Sequence, residues 1–303
     1  MVVTTLDTRP LVGPVLDVYP SWTVARRQID KRHPHALKVQ GWPESQQHVI
    51  EAARREWPTV LLALCPGMDP IARRWRTHHD ADRAVAEIVK IADDTVALGI
   101  GHLCFDPEAL WKGATAAERV ELEHIATRAL VEVHAKHPSL YLSVTTYGWP
   151  VRVEGVGGHS AFPWRGWFPG EWVTYVGQTY DRGEGNLARG ERIALASYRA
   201  AVAAGMMHPD TPRLPELQTH HNGVGELVEV ASSAPTTFLW AAGSERTFDE
   251  AGARAWRYLL VLHRTGFWGR ITDYQAACGL VADGKVGPKT CAALEADAAA
   301  PGL

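Results

Sequence analysis

The chain is poor in the features that would place it in several common classes. Its 303 residues contain only four cysteines, Cys65, Cys104, Cys278 and Cys291, and their spacing fits no zinc motif. Cys65 and Cys104 sit in apolar runs and read as buried reduced thiols, whereas a Cys278–Cys291 bridge is left open by spacing alone. No apolar run approaches the roughly 18 residues that a membrane-spanning helix needs. The first residues, MVVTTLDTRPLVGP, lack the basic and apolar regions of a signal peptide, so synthesis in the cytoplasm is expected, with any export by another route. The net charge is −3, and the basic residues are scattered, which argues against nucleic acid or an anionic membrane as partner. There is no GxGxxG turn, no HExxH and no GxSxG elbow. The pairs His78-His79 and His220-His221 stand out among 14 histidines, yet the first strand has no His-x-His. The sequence therefore calls for no metal and no cofactor.

What is present is repetition. Eight short apolar runs recur: 12–20, 35–42, 59–67, 101–107, 140–149, 171–181, 213–221 and 236–243. They are near-continuous rather than alternating, as expected of parallel strands covered on both faces. Amphipathic stretches lie between them, notably 81–99, 116–137 and 190–205. Thr115 or Ala114 precedes the second stretch, and Gly99 and Gly205 stand where a helix end favours positive φ. Eight β/α units over about 250 residues predict an α/β fold of the (β/α)8 TIM-barrel type, with a doubly wound open sheet as the alternative. The expected division is a barrel over 1–250 and a small helical segment over 251–303.

Twelve tryptophans are many for this length. Trp22, Trp42, Trp111, Trp149, Trp164 and Trp167 fall in expected loops, where flat rings serve as contact surfaces for sugars. The connection GWPVRVEGVGGHSAFPWRGWFPG, 148–170, exceeds the usual length of a βα loop. It reads as a substrate-contacting lid or an aromatic plug over the barrel mouth.

The fourth apolar run, GHLCFDP, ends in two carboxylates, Asp106 and Glu108, with Pro107 between them. Residues i and i+2 of a strand share a face, proline stops the ladder, and catalytic groups of TIM barrels project from the C-terminal strand ends. Two close carboxyls repel when both are charged, so one holds a proton near neutrality, giving an acid beside an anion as glycoside cleavage needs. The competing reading is a helix N-terminus that favours acids. Other expected strand ends are also polar or aromatic: Asp17, Gln40, Tyr147, then Gln178, Tyr180 and Asp181, then Gln218, His220 and His221, then Trp240.

Two family resemblances attach to these residues. Asp106-x-Glu108 with Asp17 on the first strand resembles family 25 lysozymes. The same pair with Tyr180-Asp181 and Trp240 looks like the chitinase-type family 18, although Leu103 and Cys104 interrupt that family's longer acidic array. The segment YQAACGLVADGKVGPKTCAAL (274–294) resembles the three-helix peptidoglycan-binding domain of cell-wall hydrolases. It is shorter than a full module, and Thr290 is expected to cap its last helix. Together the resemblances imply a hydrolase of N-acetylated amino-sugar polymers, with bacterial peptidoglycan as partner. Glu108 would be the general acid, and Asp106 would either orient the substrate's acetamido group, which in family 18 attacks the anomeric carbon, or stabilise the developing positive charge. Asp181 and Tyr180 would assist, Asp17 would tune the pair, and Trp240, Trp42 and Trp149 would line the sugar sites. Gln178, Gln40, Tyr147, Gln218 and His220 would complete the cleft. Such a chain fits an endolysin released by a holin-type partner. The rival is a non-catalytic glycan-binding protein on a degenerate barrel, such as a phage structural component. The sequence sets no oligomeric state.

Overall fold

The computed structural model describes residues 6–18, 35–159, 161–179, 186–218, 223–242 and 250–300, with the backbone alone at 17–18, 218, 240–242 and 250–251. Eight strands close into a parallel barrel in sequence order: β1 (Gly13–Val18), β2 (Ala36–Gln40), β3 (Leu61–Cys65), β4 (His102–Phe105), β5 (Tyr141–Tyr147), β6 (Val173–Thr179), β7 (Arg213–Gln218) and β8 (Thr236–Ala242). Each falls within one of the expected runs. The barrel closes where β1 pairs with β8, Val15 opposite Phe238 and Leu16 opposite Leu239.

Around it, the described helices are α1 (Pro43–Glu56), α2 (Asp69–His78), α3 (Ala81–Ala97), α4 (Ala109–Lys112), α5 (Ala116–Lys136) and α6 (Trp164–Trp167). The remainder are α7 (Leu187–Ala203), α8 (Val224–Ala231), α9 (Glu250–Arg264), α10 (Ile271–Ala277) and α11 (Pro288–Ala299). The Asp80 side chain caps α3 by accepting from the Arg83 amide. Thr115 and Glu118 form a reciprocal capping box on α5, which satisfies two of the amides a helix start leaves open. Gly99 and Gly205 follow α3 and α7 with φ of 70° and 66°.

Strand alternation sorts the core into two volumes. Leu16, Leu37, Leu62, Leu64, Leu103, Phe105, Leu142 and Leu239 point outward into the large cluster shared with the helices. Val15, Ala36, Leu61, Val176, Leu214 and Phe238 form a separate cluster inside the lumen. An apolar lumen layer made by alternate residues is how a barrel of this size fills its interior.

Three expectations change. The aromatic part of 148–170 is neither a lid nor a plug over the mouth. Phe162, Trp164, Trp167 and Phe168 are buried on the barrel's flank, with Trp167 against Phe105 and Trp111 and Phe168 against Tyr175. The single turn α6 thus stands where a longer helix would cover the sheet; a Cβ on Gly166 would lie 2.6 Å from the Glu123 backbone of α5. Among the loop tryptophans, Trp111, Trp149, Trp164 and Trp167 are buried, so their rings are spent on packing rather than on open contact surfaces; Trp22 lies outside the described residues. Thr290 does not cap the last helix: Gly287 is the N-cap, Pro288 starts the helix, and Thr290 is buried and bonded to Gln275.

All four thiols are free, so Cys278 and Cys291 are not bridged. The C-terminal segment is tied together by Gln275, which donates to Asp283 and the Lys285 carbonyl and accepts from the Gly284 amide. Tyr274, Val286 and Leu294 belong to the same buried cluster as the barrel's outer core. No described helix is long and apolar enough to cross a membrane.

Candidate active site

The C-terminal rim of the barrel is built from chain that continues strand pairing past the strands themselves. Asp106 lies just beyond β4 and bridges to Gly67 beyond β3; its amide donates to the Pro66 carbonyl, and its carbonyl accepts from Met68. Pro107 ends the ladder, and Glu108 is the N-cap position of α4. Both readings of the acid pair thus have a structural counterpart, but Glu108 makes no side-chain cap bond. Asp69, at the start of α2, fixes this corner: its carboxylate accepts from the Leu110 amide at 3.2 Å and from the Glu108 amide.

The two carboxyls are close enough for the charge of Glu108 to act on Asp106. Asp106 Oδ1 is shielded from solvent and has no hydrogen-bond partner among the described residues. Burial, followed by the neighbouring charge of Glu108, pushes the Asp106 carboxyl well above the usual carboxylate range, and Lys38 pulls against this. The shift favours the protonated form of Asp106 over what an exposed carboxyl would show. The Glu108 side chain is 43% exposed and pairs with Lys112 at 2.8 Å, whose own side chain is only 6% exposed. Lys112 Nζ in turn lies 4.0 Å from the centre of the Tyr147 ring, and Tyr147 stacks on His159.

Beneath the carboxyl pair, the lumen turns polar. Lys38 of β2 and Glu216 of β7 form an ion pair at 2.7 Å, with side chains 0% and 1% exposed. Thr145 of β5 donates to the other Glu216 oxygen, and Lys38 lies over the Phe238 ring. Cys65 and Cys104 touch one another on adjacent strands, and burial drives the Cys65 thiol well up.

The structure gathers several expected residues at this rim. Tyr147 lies opposite Gln178 in register, and Gln178 opposite Glu216. Gln40 lies opposite Cys65. The backbone of Asp17 pairs with Lys38 and with Trp240, and that of Gln218 with Trp240; the side chains of Asp17, Gln218 and Trp240 lie outside the described set. Tyr180, Asp181, His220 and His221 are likewise outside the described residues. Trp42 is the half-buried N-cap of α1, packed against the outer core. Trp149 is drawn away from the rim: it is buried with Ile193 and Ala194 of α7, so it is not an open wall for a sugar. Four residues of the site were missed: Lys38, Glu216, Asp69 and Lys112. A charge inside an otherwise apolar strand, as in HALKVQ and RLPELQ, is the signal for the first two. The i,i+4 spacing of Glu108 and Lys112 is the signal for the last. Among the described residues, no cluster of three His, Cys, Asp or Glu side chains could hold a metal ion.

No protein-family model matches the chain, and no curated protein matches it. Solved structures do. A chitinase from Chromobacterium violaceum aligns over 82% of this chain and 99% of its own, with a TM-score of 0.53 and 15% identity. A family GH18 chitinase from Cycas revoluta, in complex with allosamidin, covers 69% of each chain at TM-score 0.48 and 15% identity. Endo-glycoceramidase II from Rhodococcus sp. covers 79% of this chain and 75% of its own at TM-score 0.49 and 9% identity. At such identities the likeness to the Chromobacterium chitinase is one of fold.

Proposed function

We propose that the protein is a glycoside hydrolase of N-acetylated amino-sugar polymers, bacterial peptidoglycan foremost, with Asp106 and Glu108 acting as one proton-holding unit. The observation that carries this reading is the placement of Asp106, just beyond β4 and pairing with Gly67, beside Glu108 at the C-terminal rim, with burial and Glu108 pushing the Asp106 carboxyl up. The two carboxyls serve as a relay: the proton on Asp106 passes to Glu108, which delivers it to the leaving oxygen, while Asp106 is left to orient the substrate. The attack on the anomeric carbon then falls to another group, and the substrate's own acetamido oxygen fits, as the resemblance to family 18 implies. Tyr180 and Asp181 assist, Asp17 tunes the pair, and Trp240, Trp42, Gln178, Gln40, Tyr147, Gln218 and His220 contribute to the sugar cleft. Residues 251–303 are read as a reduced peptidoglycan-binding-like module, and the likeness to family 25 lysozymes makes a muramidase or endolysin the specific form of the reading.

The test is release of new reducing ends from purified peptidoglycan and from chitooligosaccharides, by the wild type and by Glu108→Gln. Loss of a general acid lowers the rate by about 10²–10⁴-fold. Amine release without reducing ends would refute the assignment. A second reading, a glycan-binding barrel without chemistry, is favoured by one observation: Glu108 is already neutralised by Lys112. Co-sedimentation with the wall and no cleavage would select it.

A further inference from the structure

Resting on the role given to Glu108 under Proposed function, we propose that Lys112 is the positioning residue that fixes the Glu108 carboxylate at the rim. The Tyr147–His159 ring pair is the backstop that fixes Lys112.

Without a partner, Glu108 would be poorly placed for a directed proton transfer. It occupies the N-cap position of a single helical turn and makes no side-chain cap bond. Its side chain is 43% exposed, so solvent alone would leave it free to change rotamer. Lys112 Nζ donates to Glu108 Oε2 at 2.8 Å, which anchors one oxygen and leaves Oε1 to carry a proton.

Helix support does not account for this lysine. Lysine is rarely buried, yet Lys112 is only 6% exposed. An i,i+4 pair adds little to a helix, and α4 has four residues. What surrounds the ammonium group instead is a built seat. Nζ lies over the Tyr147 ring, 4.0 Å from its centre, where the ring's negative face attracts a cation. His159 stacks on the same ring, with centres 3.3 Å apart and planes within 4°. Two partners this close need opposite faces, so Tyr147 is held between them. The outer partners are anchored through the backbone. The Tyr147 carbonyl accepts from the buried Tyr175 hydroxyl. The His159 amide donates to the Pro150 carbonyl, and its carbonyl accepts from the Phe162 amide and the Trp164 indole. The long connection after β5 thus presents His159 to Tyr147.

The turn that carries Glu108 and Lys112 is gripped from the other side by the start of α2. Asp69 accepts from the Leu110 amide at 3.2 Å, the Met68 carbonyl from the Trp111 indole at 2.9 Å, and Arg76 donates to the Leu110 carbonyl at 2.8 Å. The backbone under both charged residues is therefore fixed, and the bond between their side chains closes the assembly.

The experiment compares kcat and KM on chitooligosaccharides for wild type, Lys112→Met, Lys112→Arg, Glu108→Gln and Glu108→Gln/Lys112→Met. The wild-type full chain is also treated with a water-soluble carbodiimide. The reagent activates the Glu108 carboxylate and leaves as the urea when Lys112 Nζ attacks, giving an internal amide one water lighter, read by peptide mass mapping. Lys112→Met keeps the stem beside Tyr147. It should lower kcat by about 10–10²-fold, as misplacement of a reacting group does, with KM little changed, and Lys112→Arg should recover part of the loss. In the Glu108→Gln background the loss of Lys112 should cost nothing more, because residues that act as a unit are not additive. A lysine that only stabilised the fold would lower both backgrounds alike. Equal losses in the two backgrounds, an unchanged kcat, or no Glu108–Lys112 amide overturns the proposal. If Lys112→Met does not fold, Lys112→Arg is compared in the two backgrounds, and the amide, which needs no variant, decides with it. Wild-type protein that cleaves no glycan yet forms the amide would end the hydrolase reading and leave the placement of Glu108 by Lys112 standing. Cleavage that needs Glu108, with no amide and with kcat indifferent to Lys112, would do the reverse.

Discussion

Gly225→Ala separates two physical effects of opposite sign, and the structure says which wins. Gly225 is the second residue of α8. Alanine in a helix is favoured over glycine by about 0.5–1 kcal/mol, so propensity alone expects a gain. A Cβ at this position, however, would lie 2.0 Å from the Val286 carbonyl oxygen, which belongs to the C-terminal segment. Contact distances for heavy atoms are near 3.5 Å, so Val286 would have to retreat by roughly 1–1.5 Å. That retreat also strains the bond from the Val286 amide to Glu229, 3.4 Å long, and loosens Val286, which is 7% exposed in the shared core. Overpacking of this kind costs about 1–3 kcal/mol. Net of the propensity gain, the variant should lose about 1–2 kcal/mol, a fall in melting temperature of at most roughly 2 °C per kcal/mol for a chain of 303 residues. The assay is thermal denaturation together with amide exchange, where the added exchange should concentrate in α10 and α11. Gly190→Ala in α7 is the control: its new methyl would meet Thr179 at 3.5 Å, an ordinary contact, so it should be neutral or stabilising. A Gly225→Ala protein as stable as wild type, with unchanged exchange in α10 and α11, would refute the close docking of the C-terminal segment on the barrel.

Three further outcomes are expected. His35, whose ring lies 4.0 Å from that of His263, has its pKa lowered to about 4 by burial first and by His263 second. The folded chain thus binds fewer protons than the unfolded one, and this contribution is present above pH 6.5 and lost as pH falls from 6.5 toward 4. A melting temperature that is flat over this window, or a decline unchanged by His35→Asn, would contradict it. Trp111→Phe removes a buried indole N–H that donates to the Met68 carbonyl at 2.9 Å; it should cost about 2–4 kcal/mol in denaturant unfolding and also lower activity, because Trp111 anchors the turn after Glu108. Thr115→Ala breaks the capping box of α5 and should cost about 1 kcal/mol, with no change in the pH profile of hydrolysis.

The fold was legible because each strand is buried on both faces. Runs such as LLALC, all five residues buried, have no solvated side to produce alternation, and eight of them separated by helical stretches leave few architectures. The flank of the barrel was not legible. Trp164 and Trp167 sit among glycines and prolines, which reads as a loop; they are instead the ends of the single helical turn α6, and their indoles fill the volume a longer helix would take. Local sequence marks the backbone there and not the destination of the rings. The same limit explains Trp149, which the strand-end pattern assigned to the cleft and which packs on α7. Thr290 shows the converse: a residue of the right type, one turn from a helix start, was passed over because Gly287 and Pro288 already begin the helix.

The site was legible where its residues are adjacent in sequence and illegible where strands bring them together. Asp106 and Glu108 declare themselves by an i,i+2 spacing at a strand end. Lys38 and Glu216 are 178 residues apart, and each alone looks like a blemish in an apolar strand. Closure of the barrel gives them meaning, because β2 and β7 face one another only across a lumen. The lumen bears on the acid pair too: burial, then the neighbouring charge of Glu108, pushes the Asp106 carboxyl up, and Lys38 pulls against them. Charge on Asp106 is thus resisted from below by dehydration, whereas charge on Glu108 is welcomed from the side by Lys112.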